Sequence, residues 1–272
     1  MNSFSNVKRG VRSVVPAAWR RWWRHRFGWR WFEGDYAEWA AARAASAGYN
    51  DAAVLQRTLA AARAVRSGRA AWERDGVTFA EPAVHAPLLA TLRVIAAAEG
   101  GRLDLVDFGG ALGSTWWQHR AALADLKEVR WRVVEQPAVA AAGRREFADA
   151  ILSFHDSLDD AVAGAAPAAI LLSSVLPYVE APHALMADLL RHGFRFLVID
   201  RTPFVVRGRE RLVVQRTPPS AGGGSYPCRL FDRRSLLAPL ERDYRLVREW
   251  PGFEDVAPAV AFRGFFFERL TP

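Results

Sequence analysis

The residues best suited to chemistry in this chain lie in one short run, Asp107-Phe108-Gly109-Gly110-Ala111-Leu112-Gly113. It follows an apolar stretch, Leu103–Phe108, and opens a predicted helix at about Ser114. Glycines at a strand-to-helix turn let backbone approach a ligand closely, and the N–H groups there suit an anion or a carboxylate. Glu135 closes the next apolar stretch, where an acid in a nucleotide-binding sheet accepts hydrogen bonds from ribose hydroxyls. Asp156 follows the third stretch, at a place from which a side chain reaches an adenine edge. Glycine turn, Glu135 and Asp156 in succession say more than any of them alone, since tight turns also need glycine for packing. The dinucleotide spacing G-x-G-x-x-G fails, because from Gly109 its next positions fall on Ala111 and Ser114. A nicotinamide oxidoreductase is the weakest reading for that reason.

A second group of residues could serve an acceptor. Asp200 and Arg201 end the fifth apolar stretch, Tyr178 sits in the loop after the fourth, and Tyr226 lies in the Gly/Pro-rich segment Thr217–Pro227. His119 falls on the helix after the glycine turn and His155 after the third stretch. Asp200, Tyr226 and His119 are the candidates for catalysis, because an oxygen acceptor generally needs a base or a precise orientation. The alternative for each is structural: a turn cap for Asp200, a satisfied buried ring for His119. No Ser/His/Asp set and no metal-ligand spacing stands out, so no metal site is expected.

The elements that must position these groups follow from periodicity. Leu103–Phe108, Trp131–Glu135, Ile151–Phe154, Ala168–Ser173 and Phe194–Asp200 read as strands separated by helices, including His183–Arg191. That alternation implies a parallel sheet covered on both faces, with ligands at the carboxyl ends of its strands. Tyr244–Trp250 and Val260–Leu270 have no helix between them and read as an antiparallel pair at the edge. Residues 32–100 read as a helical extension, with helices expected over Trp39–Ala47, Asp51–Arg66 and Leu88–Ala98.

Residues 1–31 read as an arm. They carry Val11, Val14, Val15, Ala18, Trp19, Trp22 and Trp23 at helical spacing, with arginines mainly on the other side, and five of the 11 Trp. Eight of the 37 Lys and Arg lie within residues 1–30, with no acid; removing these 8 leaves 29 basic residues against 29 acidic ones. The net charge of +8 therefore belongs to the arm, and the neutral body argues against nucleic acid as a partner. Trp with Arg suits a membrane interface, so peripheral contact with the inner membrane is one expectation for the arm. Docking on the protein's own body or on a partner subunit is an equal alternative. Cys228 is the single cysteine, no apolar run is long enough to span a bilayer, and no secretory leader is evident. The expected location is cytoplasmic.

The acid and glycine turn after the first strand, the acid ending the second, and seven strands closed by an antiparallel pair resemble class I S-adenosylmethionine (SAM)-dependent methyltransferases over about residues 100–270. Two departures are visible: Ala111 stands at the central glycine position, and Ser173-Ser174 replaces the usual acid after the fourth strand. Asp107–Ser114, Trp72-Glu-Arg-Asp75, Asp200-Arg-Thr-Pro203 and Ser225-Tyr-Pro227 further resemble a bacterial methyltransferase family associated with surface-polysaccharide genes, over about residues 28–270. The resemblance implies an α/β, Rossmann-like domain over 101–272 behind the arm (1–31) and the extension (32–100). It implies SAM as cofactor, bound by Asp107, Gly109, Gly110, Gly113, Glu135, Asp156 and Ser173. It also implies a small-molecule or glycan-precursor acceptor. A non-catalytic, methyltransferase-like binding or scaffolding protein is the alternative from another class.

Overall fold

A computed structural model describes residues 30–47, 51–219 and 223–270. The arm up to residue 29, with its Trp/Arg face, lies outside the described residues, as does the expected helix break at 48–50.

The chain enters through β1 (Phe32–Tyr36), α1 (Trp39–Ala44) and α2 (Asp51–Arg66), then a hairpin of β2 (Trp72–Arg74) and β3 (Val77–Phe79), then α3 (Ala86–Ala98). The alternating part follows: β4 (Arg102–Phe108), α4 (Ser114–His119), β5 (Glu128–Val134), α5 (Pro137–Glu146), β6 (Leu152–His155), α6 (Leu158–Val162), β7 (Ala169–Ser173) and α7 (Pro182–Arg191). It ends in β8 (Phe196–Val205), β9 (Arg211–Arg216), β10 (Ser225–Leu230), α8 (Arg233–Leu237), β11 (Tyr244–Pro251) and β12 (Val260–Arg269).

Seven strands form one sheet in the order β11-β12-β8-β7-β4-β5-β6. The five from β4 to β8 run parallel, while β12 is antiparallel to β8 and β11 to β12. This is the methyltransferase-like sheet expected from the sequence. Each central strand divides its apolar side chains between two faces. Leu105, Trp131, Val133, Leu171 and Val198 enter the core shared with α2, α3 and α5, and Val106, Val134, Ile170, Leu172 and Ile199 enter the core under α7 and α8. Burial on both faces is why these strands read as apolar runs rather than alternating ones.

Two parts differ from the sequence expectation. Residues 32–100 are not helical throughout, for they contain β1, β2 and β3. The β2–β3 hairpin turns on Asp75-Gly76, both at positive φ, which is the two-residue Asp-Gly signal for such a turn. β1 pairs with β9, some 180 residues later, and β9 pairs with β10. β10 takes the end of the segment expected to be a loop, so Tyr226 stands on a strand. A partner that distant leaves no local signal in the sequence. No helix among the described residues is long and apolar enough to cross a membrane.

Candidate active site

A cavity of about 290 Å³ opens at the carboxyl ends of β4, β5, β7 and β8. Its floor is the glycine turn after β4. Gly109 and Gly113 have φ of +74° and +82°, in the region where a side chain is strained. Gly110 is required for another reason: a Cβ there would stand 2.6 Å from the Asp107 carboxyl group. Asp107 itself is 1% exposed and accepts a hydrogen bond from Trp131 Nε1 at 2.9 Å. Burial pushes its carboxyl up to about 7 against the pull of that bond, and the neighbouring Glu135 adds to the rise. α4 is only six residues long, so the donors facing the cavity come from the turn rather than from a helix dipole. The N–H groups of Gly110 and Leu112 have no hydrogen-bond partner among the described residues.

Glu135 follows β5 and lines the cavity beside this turn. Its Oε1 accepts from the Ala111 N–H at 3.1 Å and its Oε2 from the Gln136 N–H at 2.9 Å. Burial raises its pKa, and these two bonds oppose the rise. A carboxylate has about four acceptor sites, so both oxygens keep capacity for hydroxyl donors. Ala111 adopts φ +52° to present its N–H to Glu135, so the residue at the central glycine position takes the conformation that glycine would supply.

The segment before the sheet supplies the opposite wall: Val54, Leu55, Arg57 and Thr58 from α2, Glu73, Arg74 and Asp75 from the hairpin, and His85 and Leu88 at the start of α3. Glu73, 2% exposed, accepts from Ser114 Oγ and from the Gly76 N–H at 3.2 Å, tying the hairpin to the glycine turn. Burial raises its pKa.

The far end of the cavity is built on a bulge in β8. The register with β12 shifts between Arg263 and Phe265, so Gly264 stands against both Asp200 and Arg201, and Arg201 takes φ +50°. Gly264 leaves room for the Trp250 indole, which a Cβ would meet at 2.1 Å. Trp250 Nε1 donates to Asp200 Oδ1 at 2.9 Å, His85 Nε2 lies 3.3 Å from the same oxygen, and Ser173 Oγ donates to Oδ2 at 3.4 Å. Asp200 is 0% exposed. Burial would raise its pKa, but His85, Trp250 and Arg201 together bring it below the ordinary carboxylate value. Arg201 Nε donates to Glu254 Oε1 at 2.7 Å. Arg74 is sandwiched between the Trp72 and Phe253 rings, and desolvation beside Arg201 lowers it to about 10.

Four non-glycine residues among the described residues have positive φ: Asp75, Ala111, Ser174 and Arg201. All four line this cavity. Each such conformation costs on the order of 1 kcal/mol and persists where the surroundings over-determine it, which happens mostly at functional sites.

Of the residues singled out from sequence, Asp107, Gly109, Gly110, Glu135, Ser173, Asp200 and His119 line the cavity, and Gly113 supports the turn beneath it. Two candidates lie elsewhere. Asp156 forms a two-pronged ion pair with Arg144 at 3.0 and 3.2 Å and lies outside the lining, so the adenine role expected for it is without a geometric basis. Tyr226 packs edge-on against Tyr178, with ring centroids 5.2 Å apart, away from the lining. His119, though in the wall, is 1% exposed and engaged at both nitrogens: Nδ1 lies 2.8 Å from the Thr115 carbonyl and Nε2 accepts from the His85 N–H at 3.1 Å. That bonding fixes the neutral ring and occupies its lone pair, and burial lowers its pKa. It is the satisfied buried histidine that the sequence left as an alternative. His85 was missed; it precedes α3 between Pro82 and Pro87, and only the pairing with Asp200 marks it.

No protein-family model matches the chain, and no curated protein does so. Among solved structures, similarity is found to the N-terminal domain of EvdMO1 with SAH bound, at 18% identity over 77% of this chain and 97% of that chain, with a TM-score of 0.46. It is also found to an amino pentose methyltransferase from Micromonospora echinaspora in its SAM-bound form, at 16% identity over 77% and 96%, with a TM-score of 0.45. A third is the Burkholderia thailandensis 1,6-didemethyltoxoflavin-N1-methyltransferase, at 16% identity over 83% and 92%, with a TM-score of 0.42.

Proposed function

We propose that the chain is a SAM-dependent methyltransferase acting on a hydroxyl of a small molecule or glycan precursor. The observation that carries this reading is the joining of three features in one cavity: the unpaired Gly110 N–H of the glycine turn, the half-occupied Glu135 carboxylate, and a separate polar end around Asp200. A nucleoside that also bears an amino acid needs this set of groups. Glu135 would accept from the ribose hydroxyls, the Gly110 N–H would meet the amino-acid carboxylate, and Asp107 would face its ammonium group. Ala138 and Val139, beside Glu135 in the lining, would flank the base in place of Asp156. The cofactor supplies an electrophilic methyl group on a sulfonium; the chain orients it, and the walls from α2 and the hairpin shield it from water. Similar proteins crystallised with SAM or SAH, one of them acting on an amino pentose, accord with this reading. Placement at the inner membrane through residues 1–31, next to lipid-linked precursors, is a further part of the proposal. Vesicle flotation of the full chain against one lacking 1–31 tests it, and equal recovery with anionic vesicles would refute it.

Isothermal titration of the full chain with S-adenosylhomocysteine (SAH) tests the central claim. Saturable binding is expected, weakened about tenfold or more in Glu135→Ala, which removes charge-assisted acceptors of ribose hydroxyls. No heat above background for the wild-type chain would refute the methyltransferase reading.

A further inference from the structure

At the polar end of the cavity His85 offers a ring nitrogen free to take a proton. His85 Nε2 faces the buried Asp200 at 3.3 Å, and Asp200 is held in turn by Trp250 and Ser173. An ionised Asp200 accepts the Nε2 proton and leaves the lone pair on Nδ1. His85 makes no side-chain cap to α3, and its Nδ1 has no partner among the described residues. Asp75, also in the lining, stands beside the guanidiniums of Arg74 and Arg201, and several other polar groups there are engaged. His119 uses both nitrogens, Glu73 is bound to Ser114 and Gly76, and Asp107 is bound to Trp131 beneath the glycine turn. Tyr178 donates to Gln215, and burial holds its pKa well above the ordinary value.

We propose that His85 is the base of the reaction, with Asp200 as its positioning residue; this rests on the methyltransferase reading above. The acceptor oxygen forms a bond to the methyl carbon with its own electron pair. The carbon–sulfur bond breaks with its pair left on sulfur, and the hydroxyl proton passes to His85 Nδ1. The resulting imidazolium is stabilised by Asp200 through Nε2–H. The charged and titratable groups around His85 are Asp200 and Arg201 from β8, Arg74 and Asp75 from the hairpin, His119 from α4 and Glu254 from the β11–β12 connection. Phe253 in that connection packs edge-on against the His85 ring at 5.4 Å and also faces Arg74 and Arg201 at 4.8 and 5.5 Å. Among these groups Asp200 is the one whose side chain contacts the His85 ring nitrogen directly.

The test needs no acceptor. A base one oxygen atom away from the transferred methyl lies about 6 Å from sulfur, and at that distance a protonated His85 repels the positive sulfonium of SAM but not the neutral thioether of SAH. The SAM and SAH dissociation constants of the full chain are measured by calorimetry from pH 8.5 to 5.5. The SAM/SAH ratio is expected to rise with falling pH on the order of tenfold more in the wild type than in His85→Gln. Asp107 is present in both wild type and His85→Gln, so its titration cancels when the two proteins are compared. Superimposable curves for wild type and variant would overturn the base assignment while leaving cofactor binding intact. Binding of neither ligand would overturn the methyltransferase reading instead. Should His85→Gln fail to fold, the same coupling is read in the wild type by imidazole NMR. By linkage, the His85 pKa must be about one unit lower with SAM bound than with SAH, and equal values would overturn the proposal. Asp200→Asn, which removes the carboxylate 3.3 Å from His85 Nε2, is expected to bring the pH dependence of the SAM/SAH ratio toward that of His85→Gln without removing SAH binding.

Discussion

Replacing Asp107 with Asn isolates the cost of a buried carboxyl group. The fully buried side chain has its pKa raised from 3.8 to about 7, chiefly by desolvation. Below pH ~3.8 both the native and unfolded states hold the proton, and between ~3.8 and ~7 only the native state does. The native state therefore binds more protons in that window, so stability falls as pH rises through it and levels off above ~7. At about 1.4 kcal/mol per pK unit, a rise of ~3.2 units amounts to about 4 kcal/mol over the whole window, of which about 2 kcal/mol falls between pH 5.5 and 8. Asn keeps an acceptor for the Trp131 N–H at 2.9 Å and cannot ionise. Urea unfolding of the apo chain, followed by circular dichroism at pH 5.5, 6.5, 7.5 and 8.5, gives the stability of Asp107→Asn relative to wild type. That difference is expected to move in favour of the variant by about 2 kcal/mol from pH 5.5 to 8. A difference independent of pH, or one moving the other way, would refute the assignment of Asp107 as a carboxyl group kept neutral by burial.

Three further outcomes follow from the site. Gly110→Ala drives a methyl group to 2.6 Å from the Asp107 carboxyl, so the turn must shift; a thermal melt lowered by several degrees and loss of SAH binding are expected, and a wild-type melt with wild-type affinity would contradict the packing. Ala111→Gly removes the strain of φ +52°, so urea unfolding is expected to show a change between zero and about 1 kcal/mol of added stability, where Ala→Gly elsewhere costs a similar amount. Trp250→Phe removes the donor 2.9 Å from buried Asp200 and thins the packing over Gly264. Its expected cost is about 1–3 kcal/mol by denaturant unfolding, and an unchanged stability would contradict the packing.

The sequence by itself determined the seven-stranded sheet and the glycine turn. Strands buried on both faces, such as Ala169–Ser173, must be continuous apolar runs, and a strand-to-helix turn with positive φ at Gly109 and Gly113 must carry glycine. Both requirements act within a few residues, so both leave a local mark. The partition of charge between arm and body was legible for the same reason. Tertiary structure decided which polar groups meet. His85 and Asp200 are 115 positions apart, and β1 finds β9 across most of the chain. Neither pairing has a period or spacing by which a sequence could announce it. Nor could the sequence tell that Asp156 is claimed by Arg144, that His119 spends its lone pair on a backbone N–H, or that Tyr226 turns toward Tyr178. A polar side chain's role depends on which neighbour satisfies it first, and burial makes that choice decisive, because an unsatisfied polar group costs more inside a protein than at its surface.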